Sequence, residues 1–332
     1  KETLNLPRAV LASFDLSAVL RQGGFIGFGN PLRSARSIVP MLRAFASEKA
    51  AFATEQQILN RPNALNGNYA KAKLYLASLD EFRLSKQEEI MMSKFANAIP
   101  GVRASNRAFM VFLNKLRADS FDAMLETRER WFESKEPSRK DLEIIGNFIN
   151  VATGRGDLGR YAAAAEPMAT LFFSPRLALS RFQLLTGQPL LKGAISDPLF
   201  RNTAATRVVV ASEYAKTLTG LIVFYGLTQL AGVEVVSDPN SSDFGKIKLG
   251  NTHIDPMMGL IQATVLMSRL ATGKHTTQKG EVVQVRGEKP RFGIPDTMGA
   301  ITKYGRSKLA PVPGAVIDTL SGRDFKGDKT TL

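Results

Sequence analysis

Two pairs of carboxylates have the spacing that acid–base chemistry would need. Glu88 and Glu89 are adjacent, and Asp119 and Asp122 lie one helical turn apart. Two carboxylates in different environments are a common device of general acid–base catalysis. Both pairs, however, fall in strongly amphipathic stretches, where charged residues normally face solvent. We therefore interpret both pairs as surface charge and predict no catalytic role for them.

A glycine pattern invites comparison with dinucleotide-binding turns. The segment Gly154-Arg155-Gly156-Asp157-Leu158-Gly159 fits the pattern GxGxxG. Such a turn follows a strand and needs an acidic residue about 20 positions later to hold the ribose. The residues before Gly154 have helical periodicity, and no acidic residue occurs from Pro167 to Ser196. We predict a turn between two helices.

The sequence offers few ligands for metal or thiol chemistry. It contains no cysteine, which excludes disulfides, thiolate nucleophiles and cysteine-bound zinc. The two histidines, His253 and His275, are too few for a three-histidine metal site. The Walker lysine loop and the HExxH and GxSxG motifs are also absent from the sequence. These observations predict a non-catalytic chain with no cofactor.

The most prominent apolar segment is Thr217–Val233, which carries no charge. Its 17 residues reach the lower length limit for crossing a bilayer. Small residues within it would let helices approach closely. Two interpretations stay open at this point: a helix buried in a soluble bundle, and a helix that meets a membrane. The residues predicted to pack against lipid or neighbouring copies are Gly220, Leu221, Phe224, Gly226, Leu227 and Gly232.

The charge of the chain is strongly positive, with a formal net charge of +14. The excess of Lys and Arg lies towards both ends, and such a surface is attracted to nucleic acid and to anionic membranes. Dispersed cations that only keep the protein soluble, or a charged arm that contacts another subunit, explain the charge equally well. The candidate DNA contacts are Arg286, Lys289, Arg291, Lys303, Arg306 and Lys308.

The elements that carry these residues are predicted to be mainly α-helical. The clearest helix is Ser105–Phe132, with apolar residues at spacings of three and four and Ser105 as its cap. Residues 138–152 are predicted to form a helix capped by Ser138, and the glycine-rich segment Gly23–Gly29 to form a loop. Further helices are predicted at Leu32–Leu59, Asn68–Leu79, Lys86–Ala98, Tyr161–Phe173, Pro175–Leu185, Asp197–Val236 and Pro256–Leu270.

The predicted architecture is a multi-helix bundle with a small β-hairpin and an extended C-terminal arm. A Gly-Asn pair between two β-prone runs predicts the hairpin at residues 246–254, and a short strand is expected at Val282–Arg286. We divide the chain into an N-terminal helical region, 1–153, an apolar helical region, 154–270, and an extended arm, 271–332. Because the sequence begins at Lys1 rather than Met, we expect it to be a fragment of a longer protein.

Several strings of residues together resemble a known family. They are Asp15-Leu16-Ser17 with Arg21-Gln22-Gly23-Gly24, Ser105-Asn106-Arg107-Ala108 with Asn114-Lys115-Leu116-Arg117-Ala118-Asp119, Asn150-Val151-Ala152-Thr153-Gly154-Arg155-Gly156, Phe173-Ser174-Pro175-Arg176, Asp238-Pro239-Asn240-Ser241-Ser242-Asp243-Phe244-Gly245-Lys246-Ile247, Ser307-Lys308-Leu309-Ala310-Pro311-Val312-Pro313-Gly314 and Gly322-Arg323-Asp324-Phe325. With these strings the chain resembles the large polyvalent-protein-associated domains of tailed phages and prophages. The resemblance covers nearly the whole chain.

The resemblance implies a setting more than a mechanism. Proteins of this kind travel in the virion and are delivered with the genome, and some build a conduit across the host envelope. The expected function is therefore a non-catalytic subunit of a homo-oligomeric ejection channel, found in the virion and later in the periplasm or inner membrane of the host. Its expected partners are further copies, other virion and ejection proteins, phage DNA and a host membrane. The alternative is a DNA-binding or scaffold module of a large polyvalent protein that is injected with the genome.

Overall fold

The computed structural model describes residues 17–79, 99–133, 136–193, 202–250, 252–257, 259–277, 280–285 and 296–322. Within these ranges the chain is mainly α-helical and contains small antiparallel two-stranded sheets. The predicted fold class is therefore confirmed. The chain forms two compact units, of which the first comprises Lys1–Glu166 with Arg176–Leu221 and the second Pro167–Pro175 with Ile222–Leu332.

The helices of the N-terminal half are α1 (Ser17–Gly29), α2 (Pro31–Arg36), α3 (Ile38–Ala46), α4 (Glu48–Leu59), α5 (Pro62–Leu65), α6 (Asn68–Lys71), α7 (Pro100–Phe132) and α8 (Arg139–Ala152). After a 3-10 helix (Gly159–Ala164) come α9 (Ala165–Leu171), α10 (Pro175–Leu185), α11 (Gln188–Leu191), α12 (Ala204–Leu230), β1 (Ile247–Leu249), β2 (Thr252–Ile254), α13 (Leu260–Thr272), β3 (Lys274–Thr276), β4 (Val282–Gln284), α14 (Thr297–Arg306) and α15 (Pro311–Ser321).

Among the described helices, α7 supplies the largest number of buried apolar residues to the first unit. Its apolar positions recur at helical spacing as predicted, and the buried ones include Val102, Phe112, Leu113, Leu116, Phe121, Met124 and Leu125. The helix begins earlier than predicted, at Pro100, with Ile99 as its N-cap residue. Proline suits the first turn because it has no backbone N–H to satisfy there. Ser105 therefore lies inside the helix, and its predicted capping role is wrong.

The glycine-rich segment predicted to be a loop is the second half of helix α1. Packing explains this, because the glycines let α1 approach its neighbours closely. A Cβ atom on Gly23 would lie 2.8 Å from Cε1 of Phe112 in α7. Phe25 and Ile26, between the glycines, are buried. The low helix propensity of glycine is thus outweighed by burial of the residues around it.

Several predicted helices have different ends in the structure. Leu32–Leu59 is divided into three helices by Ser37 and Ser47, and Ser47 Oγ caps α4 by accepting from the backbone N–H of Ala50, 3.3 Å away. Asn68–Leu79 is helical only to Lys71. Tyr161–Phe173 is a 3-10 helix followed by α9, and Asp197–Val236 and Pro256–Leu270 correspond to α12 and α13. The predicted helix Lys86–Ala98 and the cap at Asp197-Pro198 lie outside the described residues.

Three local predictions are confirmed. Pro175–Leu185 is a helix, and α8 begins with a capping box in which Ser138 Oγ accepts from the backbone N–H of Asp141. The GxGxxG segment forms the turn predicted between two helices, with Gly154 at φ +85°. A dinucleotide-binding turn would need a preceding strand, and α8 stands in its place.

The second unit contains the predicted hairpin and a second one. Strands β1 and β2 pair Ile247 with Ile254, as the Gly-Asn turn predicts. Strands β3 and β4 pair Lys274 with Gln284. The region 271–332, predicted to be an extended arm, thus contains a hairpin and helices α14 and α15 in its described part. Asp296 explains the start of α14, because its Oδ1 accepts from the N–H of Gly299 at 2.7 Å.

A polar loop holds the second unit together. The Oδ1 atom of Asn240 accepts hydrogen bonds from Ser268 Oγ and Thr272 Oγ1 of α13, both at 2.9 Å. Its backbone carbonyl accepts from Nε of Arg269 at 2.9 Å. Asp238, two residues earlier, accepts from the hydroxyl of Thr276 in β3. The string that contributes to the family resemblance therefore has a structural role here, since it joins α13 to the second hairpin.

Candidate association surface on helix α12

Helix α12 carries its charges towards the interior. The carboxylate of Glu213 is only 4% exposed and contacts three polar side chains, two from the α1–α2 region and one from α12 itself. Its Oε2 accepts from Nδ2 of Asn30 at 2.7 Å and lies 3.5 Å from Nη1 of Arg33, while its Oε1 accepts from Nζ of Lys216 at 2.6 Å. These contacts attach the middle of α12 to the junction of α1 and α2.

The N-terminal part of α12 is attached by a second buried network. The hydroxyl of Thr206 donates to Oδ1 of Asp141 at 2.5 Å and accepts from Nε of Arg128 at 2.9 Å. Arg207, on the next position, donates to the backbone carbonyl of Lys192 at 2.7 Å and to that of Leu190. Polar residues of α12 thus serve as anchors to α7, α8 and the chain after α11.

Aromatic packing completes the inner face of α12. The ring of Tyr214 lies edge-on to Phe25 of α1, at 5.2 Å between centroids, and 5.6 Å from Phe148 of α8. Burial raises the pKa of the Tyr214 phenol well above its ordinary value. The phenol therefore stays neutral at any physiological pH and acts as part of the core.

Gly220, which was predicted to pack against lipid or a neighbouring copy, packs against helix α1 of the same chain. A Cβ atom at Gly220 would lie 2.1 Å from the carbonyl oxygen of Phe28 in α1. One turn earlier, Thr217 donates its hydroxyl hydrogen to the carbonyl of Phe25 at 2.8 Å. Helices α1 and α12 therefore touch backbone to backbone at this point, and Gly220 is not available to a neighbouring copy.

The outer face of α12 has the opposite character. None of the exposed residues of this helix is charged, and they are Ala204, Val208, Ala211, Ala215, Leu218, Thr219, Ile222, Val223, Leu227, Gln229 and Leu230. With 3.6 residues per turn, all of them except Leu227 fall in an arc of about 140°. A soluble helix normally directs its charges to this side. In α12 the arrangement is reversed, since its charged residues are buried or half-buried.

The size of the outer face decides what it can contact. Leu230, Ile222 and Leu227 expose 86%, 72% and 62% of their surface. The helix is long and apolar enough by composition to cross a membrane. Its uncharged helical part, however, runs only from Thr217 to Leu230, or about 21 Å at 1.5 Å per residue. A hydrocarbon core is about 30 Å thick, so this part is too short to span one upright.

The remaining predicted packing residues differ in their surroundings. A Cβ atom on Gly226 would meet nothing within 4 Å, so this glycine lies open on the outer face. Leu221 is half-buried, and the ring of Phe224 packs edge-on against Tyr225 at 5.7 Å. Gly232 adopts φ +74° in the turn after the helix, where glycine is favoured. Of the six predicted residues, Leu227 and Gly226 belong most clearly to the open surface.

The candidate DNA contacts are partly occupied by other interactions. Arg306 pairs with Asp318 between α14 and α15. Lys308 hydrogen-bonds Gln262 and lies over the ring of Tyr304, 5.0 Å from its centroid. Lys303 is exposed. Arg286, Lys289 and Arg291 lie outside the described residues. Arg306 and Lys308 therefore have structural roles within the second unit.

The carboxylates Asp119 and Asp122 form a structural network rather than the solvent-facing charge predicted for them. Asp119 accepts from Nη2 of Arg61 and Nζ of Lys115, both at 2.7 Å. Asp122 accepts from Nη1 of Arg61 at 3.0 Å and from the phenol of Tyr69 at 2.8 Å. Each oxygen of the two carboxylates thus accepts a hydrogen bond from a side chain of the first unit. Glu88 and Glu89 lie outside the described residues.

A helical projection of the sequence contains the signal for this surface. Between Ala204 and Leu230 only Arg207, Glu213 and Lys216 are charged, and all lie outside the exposed arc. The uncharged run begins only at Thr217, but the same arc is free of charge for more than three further turns towards the N-terminus, as far as Ala204. Comparison of the chain with family models, with curated proteins and with solved structures gave no match.

Proposed function

We propose that this chain is a non-catalytic subunit that assembles with further copies of itself through the outer face of α12. One observation carries the proposal: the exposed side of this helix is uncharged along its whole length, while its three charged residues lie outside that side and make their contacts within the chain. Apolar surface of this extent gains free energy when water is removed from it, at about 25 cal/mol per Å². Patches of several hundred Å² on a soluble protein mark interaction sites.

The residue types on this face favour another helix as its partner. Ala211 and Ala215 lie one turn apart, and Gly226 lies open further along. Small residues on a helix surface allow the backbone of a second helix to approach closely. The 27-residue helix is about 40 Å long, and an apolar strip about 10 Å wide along it covers about 400 Å². A stable interface uses about 800 Å² per partner, so further surface must contribute.

The family resemblance gives this assembly its setting. We propose a phage ejection protein, carried in the virion, whose copies form a tunnel for the genome across the host envelope. Other ejection proteins, the phage DNA and a host membrane are its proposed neighbours. The support is the combination of a basic chain with a helix whose outer face is free of charge. The first property suits DNA and the second suits packing between subunits.

The experiment is sedimentation velocity over a range of concentrations, on the wild type and on Ile222→Glu. A charge at this position must be desolvated when the helix packs, and it lies on the outside of the monomer. We expect concentration-dependent oligomers for the wild type and a shift of Ile222→Glu to monomer, with an unchanged circular dichroism spectrum.

Leu65→Glu is the matched control, because Leu65 in α5 exposes the same fraction, 72%, as Ile222. It should assemble like the wild type. A wild type that stays monomeric throughout, or equal effects of both variants, contradicts the proposal. Flotation with liposomes separates the other use of the face: a monomer that floats, and that loses flotation with Ile222→Glu, would indicate a lipid partner in place of a second copy.

A further inference from the structure

The turn that the GxGxxG pattern marks in the sequence forms one wall of a polar cleft in the first unit. The cleft has a volume of about 230 Å³. It lies between α8, the turn after it, the segment that follows α6, and the ends of α10 and α11. Its lining residues are Ala72, Lys73, Tyr75, Glu143, Asn147, Asn150, Arg155, Gly156, Asp157, Arg176 and Lys192.

Cations outnumber carboxylates in this lining. Four cationic side chains face two carboxylates, which leaves a formal charge of +2. The carboxylates are engaged with the two lysines, since Lys192 Nζ lies 2.5 Å from Asp157 Oδ2 and Lys73 Nζ lies 3.2 Å from Glu143 Oε1. Burial alone would raise the pKa of Asp157, but the hydrogen bond from Lys192 and the charge of Arg176 hold it below its ordinary value. The net positive charge of the cleft therefore persists through the neutral range.

The two guanidinium groups are held in place by the turn. Arg155 stacks on Tyr75, with Cζ 3.3 Å from the centre of the ring. Arg176 donates from Nη1 to the carbonyl of Gly156 at 3.2 Å, and the N–H of Gly156 donates back to the carbonyl of Arg176 at 3.1 Å. A Cβ atom at Gly156 would lie 2.7 Å from the carbonyl oxygen of Arg176, so the turn requires glycine there.

Neutral side chains around the cleft are also fixed. Asn150 accepts from the backbone N–H of Tyr75 at 2.9 Å and donates to the carbonyl of Lys73 at 2.9 Å. Asn147 accepts from Nζ of Lys192 at 2.8 Å. The walls therefore hold their positions before any ligand arrives. Preorganised walls reduce the conformational entropy that the protein side chains must lose when a ligand binds.

We propose that this cleft binds a small phosphate-bearing anion. Guanidinium groups match the oxygens of phosphate in geometry as well as in charge. The cleft is smaller than the lower limit of about 300 Å³ for drug-sized ligands, so it admits a phosphate group with a short substituent rather than a whole dinucleotide. The site is independent of the association surface, because none of its lining residues belongs to α12.

The experiment is isothermal titration calorimetry of the full chain with sodium phosphate and with glycerol 3-phosphate, in sodium chloride of matched ionic strength. We expect saturable binding of at least one of them, and about ten-fold weaker binding by Arg155→Gln and Arg176→Gln. Tighter binding of the ester would identify an organic phosphate as the ligand, and equal binding would identify the free ion. Lys73→Gln provides a further variant, and the fold should tolerate this substitution because the Lys73 side chain is 71% exposed. It should also weaken binding.

Arg130→Gln is the matched control, since Arg130 lies on α7 away from the cleft and is paired only at the surface with Glu126. It removes one positive charge from the chain and should leave the affinity unchanged. Absence of heat beyond that of chloride would overturn the proposal, because it would show no phosphate binding. Equal weakening by Arg130→Gln and Lys73→Gln would also overturn it, because it would show that only overall charge matters.

Discussion

At the scale of single residues, the stability of the first unit depends on charges that are buried together. Arg128 and Asp141 lie 3.3 Å apart with 7% and 2% of their side chains exposed. Asp141 also accepts from the backbone N–H of Ser138 at 2.9 Å and from Thr206. The Asp141 carboxylate therefore takes part in the capping box of α8, pairs with the charge of Arg128 in α7 and accepts a hydrogen bond from Thr206 at the start of α12. The sequence predicts Ser138 as the cap, but only the tertiary structure brings Asp141, Arg128 and Thr206 to the same place.

Asp141→Ala is expected to lower the free energy of unfolding by about 3–5 kcal/mol, because it removes a buried carboxylate that pairs with Arg128 and accepts hydrogen bonds from Thr206 and Ser138. Urea denaturation followed by circular dichroism measures this change. The control is Glu126→Gln, which breaks a surface pair with Arg130 and should change the free energy by less than about 0.5 kcal/mol. Equal effects of the two substitutions would show that the pair is not buried.

His275 makes the second unit sensitive to acid. Burial lowers its pKa from 6.5 to about 4, and the charges of Arg269 and Lys303 add to this effect. His275 therefore binds a proton below about pH 6.5 in the unfolded chain, but only below about pH 4 in the folded chain. This contribution to stability is complete at neutral pH and is lost as the pH falls through that window.

His275→Gln should flatten the loss of stability between pH 6.5 and pH 4, relative to the wild type. Thermal unfolding at a series of pH values provides the measurement. His253→Gln is the comparison, because His253 lies exposed in β2, and its profile should follow that of the wild type. Parallel profiles for all three proteins would contradict the assignment of this window to His275.

At the scale of elements, local patterns predicted those structures whose cause is local. The apolar periodicity of α7, the capping box of α8 and the Gly-Asn hairpin all follow from neighbours within a few residues. Helix α1 was not predictable in this way. Its glycines disfavour a helix locally, and the compensation comes from contacts with α7 and α12, which are far away in sequence. The same limit applies to the cleft at Tyr75, whose walls come from four separate segments.

The two glycines of α12 should respond differently to the same substitution. Gly220→Ala places a methyl group 2.1 Å from the carbonyl of Phe28, and it should destabilise the chain by about 1–3 kcal/mol. Gly226→Ala meets no atom within 4 Å and should be neutral or stabilise the monomer by up to about 1 kcal/mol, from helix propensity. Chemical denaturation at low protein concentration compares them. A reversed order would refute the contact between α1 and α12.

At the scale of the whole molecule, charge and apolar surface act in opposite directions. Copies that each carry a net charge of +14 repel one another, while the outer face of α12 is the surface that we propose to attract them. Salt screens the repulsion, since the Debye length falls from about 30 Å at 0.01 M to about 10 Å at 0.1 M. The free energy gained by burying apolar surface does not depend on this screening. Ionic strength therefore shifts the balance towards assembly.

Self-association is expected to increase when salt is raised from about 0.01 M to about 0.3 M, as measured by light scattering coupled to size exclusion. Binding of the chain to random-sequence duplex DNA should change in the opposite sense, because it releases counterions from the DNA. Ile222→Glu should abolish the first response and spare the second. A loss of self-association with rising salt would show that ion pairs, rather than the outer face of α12, join the copies.

The outer face of α12 also limits how firmly a neighbour can be aligned. Hydrogen bonds and ion pairs fix one register between two helices, whereas an apolar strip accepts several positions of nearly equal energy. Displacement by one turn, about 5.4 Å, would again bring small and branched side chains into contact. Neighbouring subunits joined along this face alone could therefore slide past one another without separating, so a ring built from them could change its diameter while remaining closed.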